Sequence, residues 1–305
     1  DYLIFMEKPK LIVIVGPTAS GKTDWGLRLA KRFAGVIISA DSRQIYKKMN
    51  IGTAKERGEW RRTGLKKEYF VDGVPTFLVD FLDPGQKFTT VDWRDRVLEI
   101  IKLAYKNKQQ PIVVGGTGLY ISALLDNYTI PKIPANKKLR ESLQEKSLAD
   151  LSRLLATLDP NAAAMIDKKN KRRLIRALDV CIMSAEPYSA QRRKGEPLFE
   201  TLKIGIEVDR AELYKRIEAR VDKMVQAGLV EEVKQLARQG YAWDLPSLSG
   251  IGYRQFKEYF ANKISLEQAV ENLKRDTKRY AKRQLTWFLR DRDIKWRKDY
   301  EAAEK

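Results

Sequence analysis

Short apolar runs bounded by turn residues alternate with amphipathic stretches over the first 125 residues. Four runs of the buried type, Leu11–Val15, Val36–Ser39, Phe77–Asp80 and Ile112–Gly115, predict strands. Apolar positions spaced by three and four predict helices over about Lys22–Phe33, Val91–Lys106 and Leu119–Leu125. Strands that are apolar throughout and separated by helices build a parallel sheet covered on both faces. In such sheets ligands sit at the carboxyl ends of the strands. Three polar segments leave those ends: Gly16–Thr23, Ala40–Tyr46 and Gly115–Tyr120. They are expected to converge on one crevice.

The pattern changes after Pro131. Pro131 and Pro134 interrupt the chain, and as far as Lys194 the periodicity is helical. Lys203–Val208 then reads as a returning strand, and Asp209 as the N-cap of a helix running to about Ala227. Gly228 ends that helix, and another begins near Val230. A last long helix covers about Leu266 to Leu289. The expected architecture is an α/β core of residues 6–130 and 200–305, with an all-helical insertion at 131–199. Residues Asp1 to Phe5, ahead of Met6, read as a leader outside the fold.

The first polar segment has the form of a P-loop. Gly16-Pro17-Thr18-Ala19-Ser20-Gly21-Lys22-Thr23 follows an apolar strand and opens an amphipathic helix, the context that gives this motif its meaning. Its glycines let backbone N–H groups turn onto a polyphosphate, and the helix adds the positive end of its dipole. Lys22 supplies a point charge, and Thr23 offers a hydroxyl to Mg²⁺. A plain strand-to-helix turn gives no reason for Lys and Thr at these positions. The fourth strand ends in Gly115-Gly116-Thr117 with no acid, so Asp41 is the one acid at the end of a neighbouring strand. It could reach a metal or an acceptor nucleophile, or simply close an Asx turn.

Charge narrows the partners. There are 59 Lys and Arg against 40 Asp and Glu, a formal charge of +19, which favours a polyanion, nucleic acid before membrane. Residues 132–194 hold 15 of the cations and 7 of the acids, with Lys168, Lys169, Lys171, Arg172, Arg173 and Arg176 as the most basic surface. A second basic tract, Lys274, Arg275, Lys278, Arg279, Lys282 and Arg283, lies on the last helix. No apolar stretch suggests membrane insertion. Cys181 is the only cysteine, which excludes an intrachain disulfide and points to the cytosol. There is no histidine, so any general base is a carboxylate, Lys, Tyr or water.

Taken in order, GPTASGKT, SADSRQIYKKMNIGTAK, VGGTGLYISALL, RRLIRALDV, RIEARVDKMVQAGLVEEV, SGIGYRQF and KRYAKRQLTWF resemble the tRNA dimethylallyltransferases, the tRNA isopentenyltransferases of bacteria and organelles. The resemblance runs from about Pro9 to Trp296. It implies a P-loop NTPase-like fold with an inserted tRNA-binding domain. It also implies transfer of a dimethylallyl group from dimethylallyl diphosphate to the exocyclic amine of the adenosine 3′ of the anticodon, in tRNAs reading codons that start with U. The P-loop then holds the donor's diphosphate with Mg²⁺, and not ATP.

By the same resemblance Asp41 is the base, Ser42, Arg43 and Gln44 lie against the target nucleotide, and Arg220 clamps the diphosphate. Thr117, Arg140 and the run Arg172, Arg173, Leu174, Ile175 and Arg176 contact tRNA. The expected partners are the tRNA anticodon stem-loop and the allylic donor, with the protein a cytoplasmic monomer. The chain departs from the family where relatives carry histidine, at Pro75-Thr76-Phe77 and at Asp167-Lys168-Lys169-Asn170. A P-loop small-molecule kinase, an adenylate isopentenyltransferase and a non-catalytic RNA-binding protein stay open as other readings. The lack of an acid after the fourth strand disfavours the first, the basic insertion and the long basic C-terminal helix disfavour the second, and Lys22 and Thr23 disfavour the third.

Overall fold

The computed structural model describes residues 8–64, 66–128, 136–190 and 194–304. The expectations for Asp1–Phe5, Pro131 and Pro134 fall outside them. The chain divides into two compact units: residues up to Ile121 together with those from Leu198 onward, and Ser122–Pro197.

The first unit opens with β1 (Lys10–Val15), α1 (Lys22–Arg32) and β2 (Val36–Ala40), followed by β3 (Glu59–Thr63), β4 (Lys66–Val71) and β5 (Val74–Phe77). Then come α2 (Thr90–Lys106), β6 (Pro111–Gly115) and α3 (Gly118–Leu125), whose last turn belongs to the second unit. The second unit holds α4 (Lys137–Glu145), α5 (Leu148–Leu158), α6 (Pro160–Met165) and α7 (Lys171–Ser184). The chain returns through β7 (Glu200–Ile206), α8 (Arg210–Gln226), α9 (Leu229–Arg238), α10 (Lys257–Phe260), α11 (Leu266–Phe288), β8 (Lys295–Arg297) and α12 (Glu301–Glu304).

One sheet runs β3-β4-β5-β2-β6-β1-β7-β8. From β5 to β8 every pairing is parallel, while β3 and β4 add an antiparallel edge. The central strands β2 and β6 are buried along their whole length, as strands covered on both faces must be. Ile14, Ile37, Ile112, Val114 and Ile204 form the core beneath α1. On the other side of the sheet, Trp93 of α2 is fully buried, donates to Ser39 O at 2.9 Å and stacks on Tyr120 at 4.7 Å. A capping box between Thr89 and Asp92 starts α2, and Asp209 caps α8 as its sequence position predicts.

The third strand corrects the sequence reading. It spans Val74–Phe77 and not Phe77–Asp80, because Leu78 and Asp80 take left-handed φ values of 61° and 55° that no strand accommodates. Val79 is still buried, against Tyr69 and Val71, so a buried coil had the look of a strand. The fifth predicted strand begins and ends earlier, as β7, than Lys203–Val208. Strands β3, β4 and β8 were not anticipated. β3 reads EWRRT and is exposed at every residue, so it carries no hydrophobic alternation.

The second unit packs α4 to α7 around Leu143, Leu151, Leu155, Leu174, Ala177 and Leu178. The absence of strands there among the described residues matches the helical periodicity.

Candidate active site

The three loops expected to converge do so, through specific contacts. Thr117 N donates to Ala40 O at 3.0 Å, and Ser42 N donates to Thr117 Oγ at 3.2 Å, tying the Asp41 loop to the Gly115–Tyr120 loop. A Cβ on Gly115 would lie 2.3 Å from Ala40 O, so only glycine permits this approach. The Gly16–Thr23 loop joins them through Gln284 of α11: Thr18 N donates to Gln284 Oε1 at 2.8 Å, and Gln284 Nε2 donates to Gly116 O at 2.9 Å.

The Gly16–Thr23 loop connects β1 directly to α1. Ala19 and Gly21 take φ values of 64° and 89°, turning the chain sharply around the loop. Gly21 is the N-cap of α1 and has no side-chain capping bond, so the first-turn amides of this helix keep their capacity for an anion. Lys22 Nζ donates to Pro17 O at 3.2 Å across the loop. Ser20 Oγ is buried with no hydrogen-bond partner among the described residues. A buried hydroxyl with no partner is a polar group that the loop itself leaves unsatisfied.

Electrostatics link the side chains that face this loop. Burial pushes the Lys22 ammonium down to about 8, opposed by the pull of Asp41 and Glu56 and reinforced by Arg220. Arg220, on α8, is likewise lowered by burial against the pull of Glu56 and Asp41. Lys22, Asp41 and Arg220, chosen from sequence, therefore act on one another in one place. Glu56 is a carboxylate the sequence reading missed; it lies in the segment after Asp41 but at no strand end, which is why the strand-end rule passed over it. Among the described residues no cluster of three or more His, Cys, Asp or Glu side chains is arranged for a metal.

Asp41 Oδ1 accepts from Arg43 N at 2.8 Å and Gln44 N at 3.3 Å, so the Asx turn is real. It occupies one carboxylate oxygen, and Oδ2 takes no hydrogen bond from any described residue. Arg43 Nη1 donates to Pro246 O, and Gln44 Nε2 donates to Thr53 O at 3.3 Å and Ala54 O at 3.1 Å. Both side chains thus brace the Asp41 loop. Burial together with the Asp41 charge raises the phenol of Tyr280 of α11, also unanticipated, well above the ordinary tyrosine value.

Comparison with known proteins fits this arrangement. The family profile described as IPP transferase matches residues 44–292, and a second, isopentenyl transferase, matches residues 9–74. The chain belongs to the IPP transferase family. This family member is 44% identical over 300 residues to the tRNA dimethylallyltransferase of Natranaerobius thermophilus, covering 96% of this chain and 87% of that one. It is 42% identical to the enzyme of the same name from Pelotomaculum thermopropionicum, over 96% and 91% of the two chains. The solved tRNA isopentenylpyrophosphate transferase of Bacillus halodurans superposes with a TM-score of 0.69 at 37% identity, over 97% of this chain and 93% of that one. A eukaryotic dimethylallyltransferase acting on tRNA superposes with a TM-score of 0.75 at 25% identity, over 94% and 73%.

In the second unit of this family member, Arg172 and Arg173 are exposed in the first turn of α7, beside exposed Lys168 and Lys169. Cations at a helix N-terminus oppose the dipole, so the fold gains nothing from them there, whereas an anion would. The neighbouring side chains are used differently. Leu174 and Ile175 lie in the helical core, which corrects the expectation that the whole run faces RNA. Arg140 forks onto Asp179 at 2.9 and 2.6 Å, and Arg176 reaches the same oxygen at 3.2 Å. Asp179 is fully buried, so these two arginines balance a carboxylate whose burial a count of charges does not register. On α11, Lys274 and Lys278 pair with Asp222 and Glu218 of α8, which removes much of that tract from the free positive surface.

Proposed function

We propose that the chain transfers the dimethylallyl group of dimethylallyl diphosphate to the N6 amine of the adenosine 3′ of the anticodon, in tRNAs reading codons that begin with U. Family membership sets the reaction class. The observation that carries the assignment to residues is the mutual electrostatic reach of Lys22, Arg220 and Asp41.

The bond between the allylic carbon and the bridging oxygen breaks, and its electron pair leaves with the diphosphate. The N6 lone pair forms the new C–N bond, and the N6 proton passes to Asp41 Oδ2. Amides at the start of α1, the Lys22 ammonium and the Arg220 guanidinium stabilise the charge growing on the leaving group. Lys22 gains most from that partner, because its ammonium is already held near the edge of deprotonation. The Thr23 hydroxyl, with the unpaired Ser20 hydroxyl beside the donor oxygens, suits a magnesium–diphosphate unit, since Mg²⁺ takes few protein ligands and keeps phosphate and water oxygens. Bound Mg²⁺ would draw charge from the diphosphate.

The acceptor adenine is stacked in its loop and must be extruded to bring N6 beside the allylic carbon. Ser42 and Thr117 flank that approach, with Arg43 and Gln44 holding the loop that presents Asp41. Arg172 and Arg173 contact tRNA phosphates, and Arg140 and Arg176 contact tRNA while also balancing the buried Asp179. The protein acts as a cytoplasmic monomer.

Incubation with labelled dimethylallyl diphosphate and Mg²⁺, offering tRNA or AMP, tests the reading. Label on tRNA alone is expected. Label on AMP would assign an adenylate isopentenyltransferase, and phosphoryl transfer from ATP with no allylic requirement would assign a kinase.

A further inference from the structure

α11 buries Ala269, Leu273, Ala281 and Phe288 along one face, and Gln284 lies among them, 6% exposed. A polar side chain at a core position needs partners for both ends of its amide. Gln284 finds them in two different loops: Oε1 accepts from Thr18 N at 2.8 Å, and Nε2 donates to Gly116 O at 2.9 Å. Glutamine can accept and donate at once at this reach; leucine could do neither and glutamate could only accept. Gly116 confirms how closely the amide is seated. A Cβ there would fall 2.0 Å from Gln284 Nε2, while its next unrelated neighbour, Gly16 O, stands at 3.4 Å. Gly116 has no left-handed φ, so the backbone itself does not demand glycine.

The two loops carry opposite halves of the chemistry. Thr18 belongs to the loop that holds the diphosphate, and the Gly116 loop carries Thr117, whose hydroxyl holds Ser42 N and so the Asp41 turn. We propose that Gln284 is a positioning residue that fixes the spacing between the leaving-group loop and the loop presenting the base, acting through Thr18 and Gly116 without touching either substrate. The proposal deepens the transfer reading above and rests on it for its kinetic test.

Three variants test it: Gln284→Ala, Gln284→Glu and Gly116→Ala. With both substrates saturating, single-turnover transfer by Gln284→Ala should fall roughly 10- to 100-fold, as expected when reacting groups drift by a fraction of an ångström to an ångström. Dissociation constants for tRNA and for donor should stay within about threefold, because neither ligand meets the amide. Gln284→Glu leaves no cavity and cannot donate to Gly116 O while ionised. Its rate relative to the unaltered protein should recover as pH falls, because the protonated acid donates again.

Gly116→Ala should be impaired alone, by expelling the amide, and should add no further loss in the Gln284→Ala background, where its Cβ has room. Losses that multiply in the double variant, or a loss appearing only in substrate affinity, would overturn the proposal. Hydrogen exchange keeps it testable apart from the reaction: Gln284→Ala should speed exchange in peptides covering both Thr18 and the 115–118 segment. If the unaltered protein transfers no label, the transfer reading fails; if exchange is unchanged at both loops, the positioning role fails.

Discussion

Raising the pH through the weakly alkaline range should disable donor capture by uncharging Lys22. Burial holds this ammonium at about 8 in the free protein, so its charged fraction drops from about nine-tenths at pH 7 to about one-tenth at pH 9. The direction is fixed by the chemistry: the ammonium attracts diphosphate and the neutral amine does not, so function is lost as pH rises. The value of kcat/KM for dimethylallyl diphosphate, which reports the form without donor, should therefore fall about tenfold over that interval. Bound diphosphate favours the charged form, so kcat at saturating donor should hold to higher pH. Initial rates with varied donor and saturating tRNA separate the two profiles. Lys22→Ala should be slower throughout and lack this alkaline limb. A kcat/KM profile flat to pH 9, or an unchanged limb in Lys22→Ala, would refute the placement of Lys22 against the leaving group.

Asp41→Asn keeps the Asx turn through its amide oxygen but cannot accept the amine proton, so single-turnover transfer should fall roughly 10²–10⁴-fold with tRNA affinity nearly intact; near-normal chemistry would leave Asp41 a turn residue. Thr23→Ala should lower turnover on the order of 10²-fold and raise the Mg²⁺ concentration needed for half-maximal rate, with tRNA binding unchanged; normal turnover at unaltered Mg²⁺ demand would remove Thr23 from the site. Neutralising Arg172 and Arg173 together should weaken tRNA binding and reduce the salt slope by somewhat under about two units, as two lost phosphate contacts require; an unchanged slope would make them solvated surface. Asp179→Ala, by contrast, should lower stability by about 1–3 kcal/mol in a denaturant melt, a buried-pair loss discounted because Arg140 and Arg176 are each more than a third exposed; an unchanged midpoint would show that the arginines do not depend on it.

The turn from β1 through Gly16–Thr23 into α1 was legible because the strand and helix flanking it carry strong periodicity. The parallel sheet was legible for the same reason: β1, β2 and β6 are apolar throughout and bounded by turn residues. The exposed edge strand β3 was not, since strand pairing at an edge leaves no alternating pattern in EWRRT. Phe77–Asp80 misled because burial, which sequence can suggest, does not fix φ, and Leu78 is buried while turning left-handed. Long-range partners account for the rest. Gln284 stands 266 residues from Thr18, and its helical spacing reveals a polar residue on a buried face without saying what it meets. Arg176 was read as a free cation although Asp179 stands three residues on, because sequence does not show that this carboxylate is buried, and Arg140, named by resemblance, reaches it from 39 residues away. Glu56 escaped because it sits in irregular chain beyond the strand end, where position in sequence says little about position in space.

The central claim is that the crevice joins the allylic group of a diphosphate donor to the exocyclic amine of one adenosine in the anticodon loop. An RNA anticodon stem-loop carrying purine riboside in place of that adenosine keeps the shape, the stacking face and the phosphates, and lacks only the amine. Offered with labelled dimethylallyl diphosphate, the adenosine loop should gain one label per molecule and the purine riboside loop none, although both bind with similar affinity. Label on the loop without the amine would contradict the account.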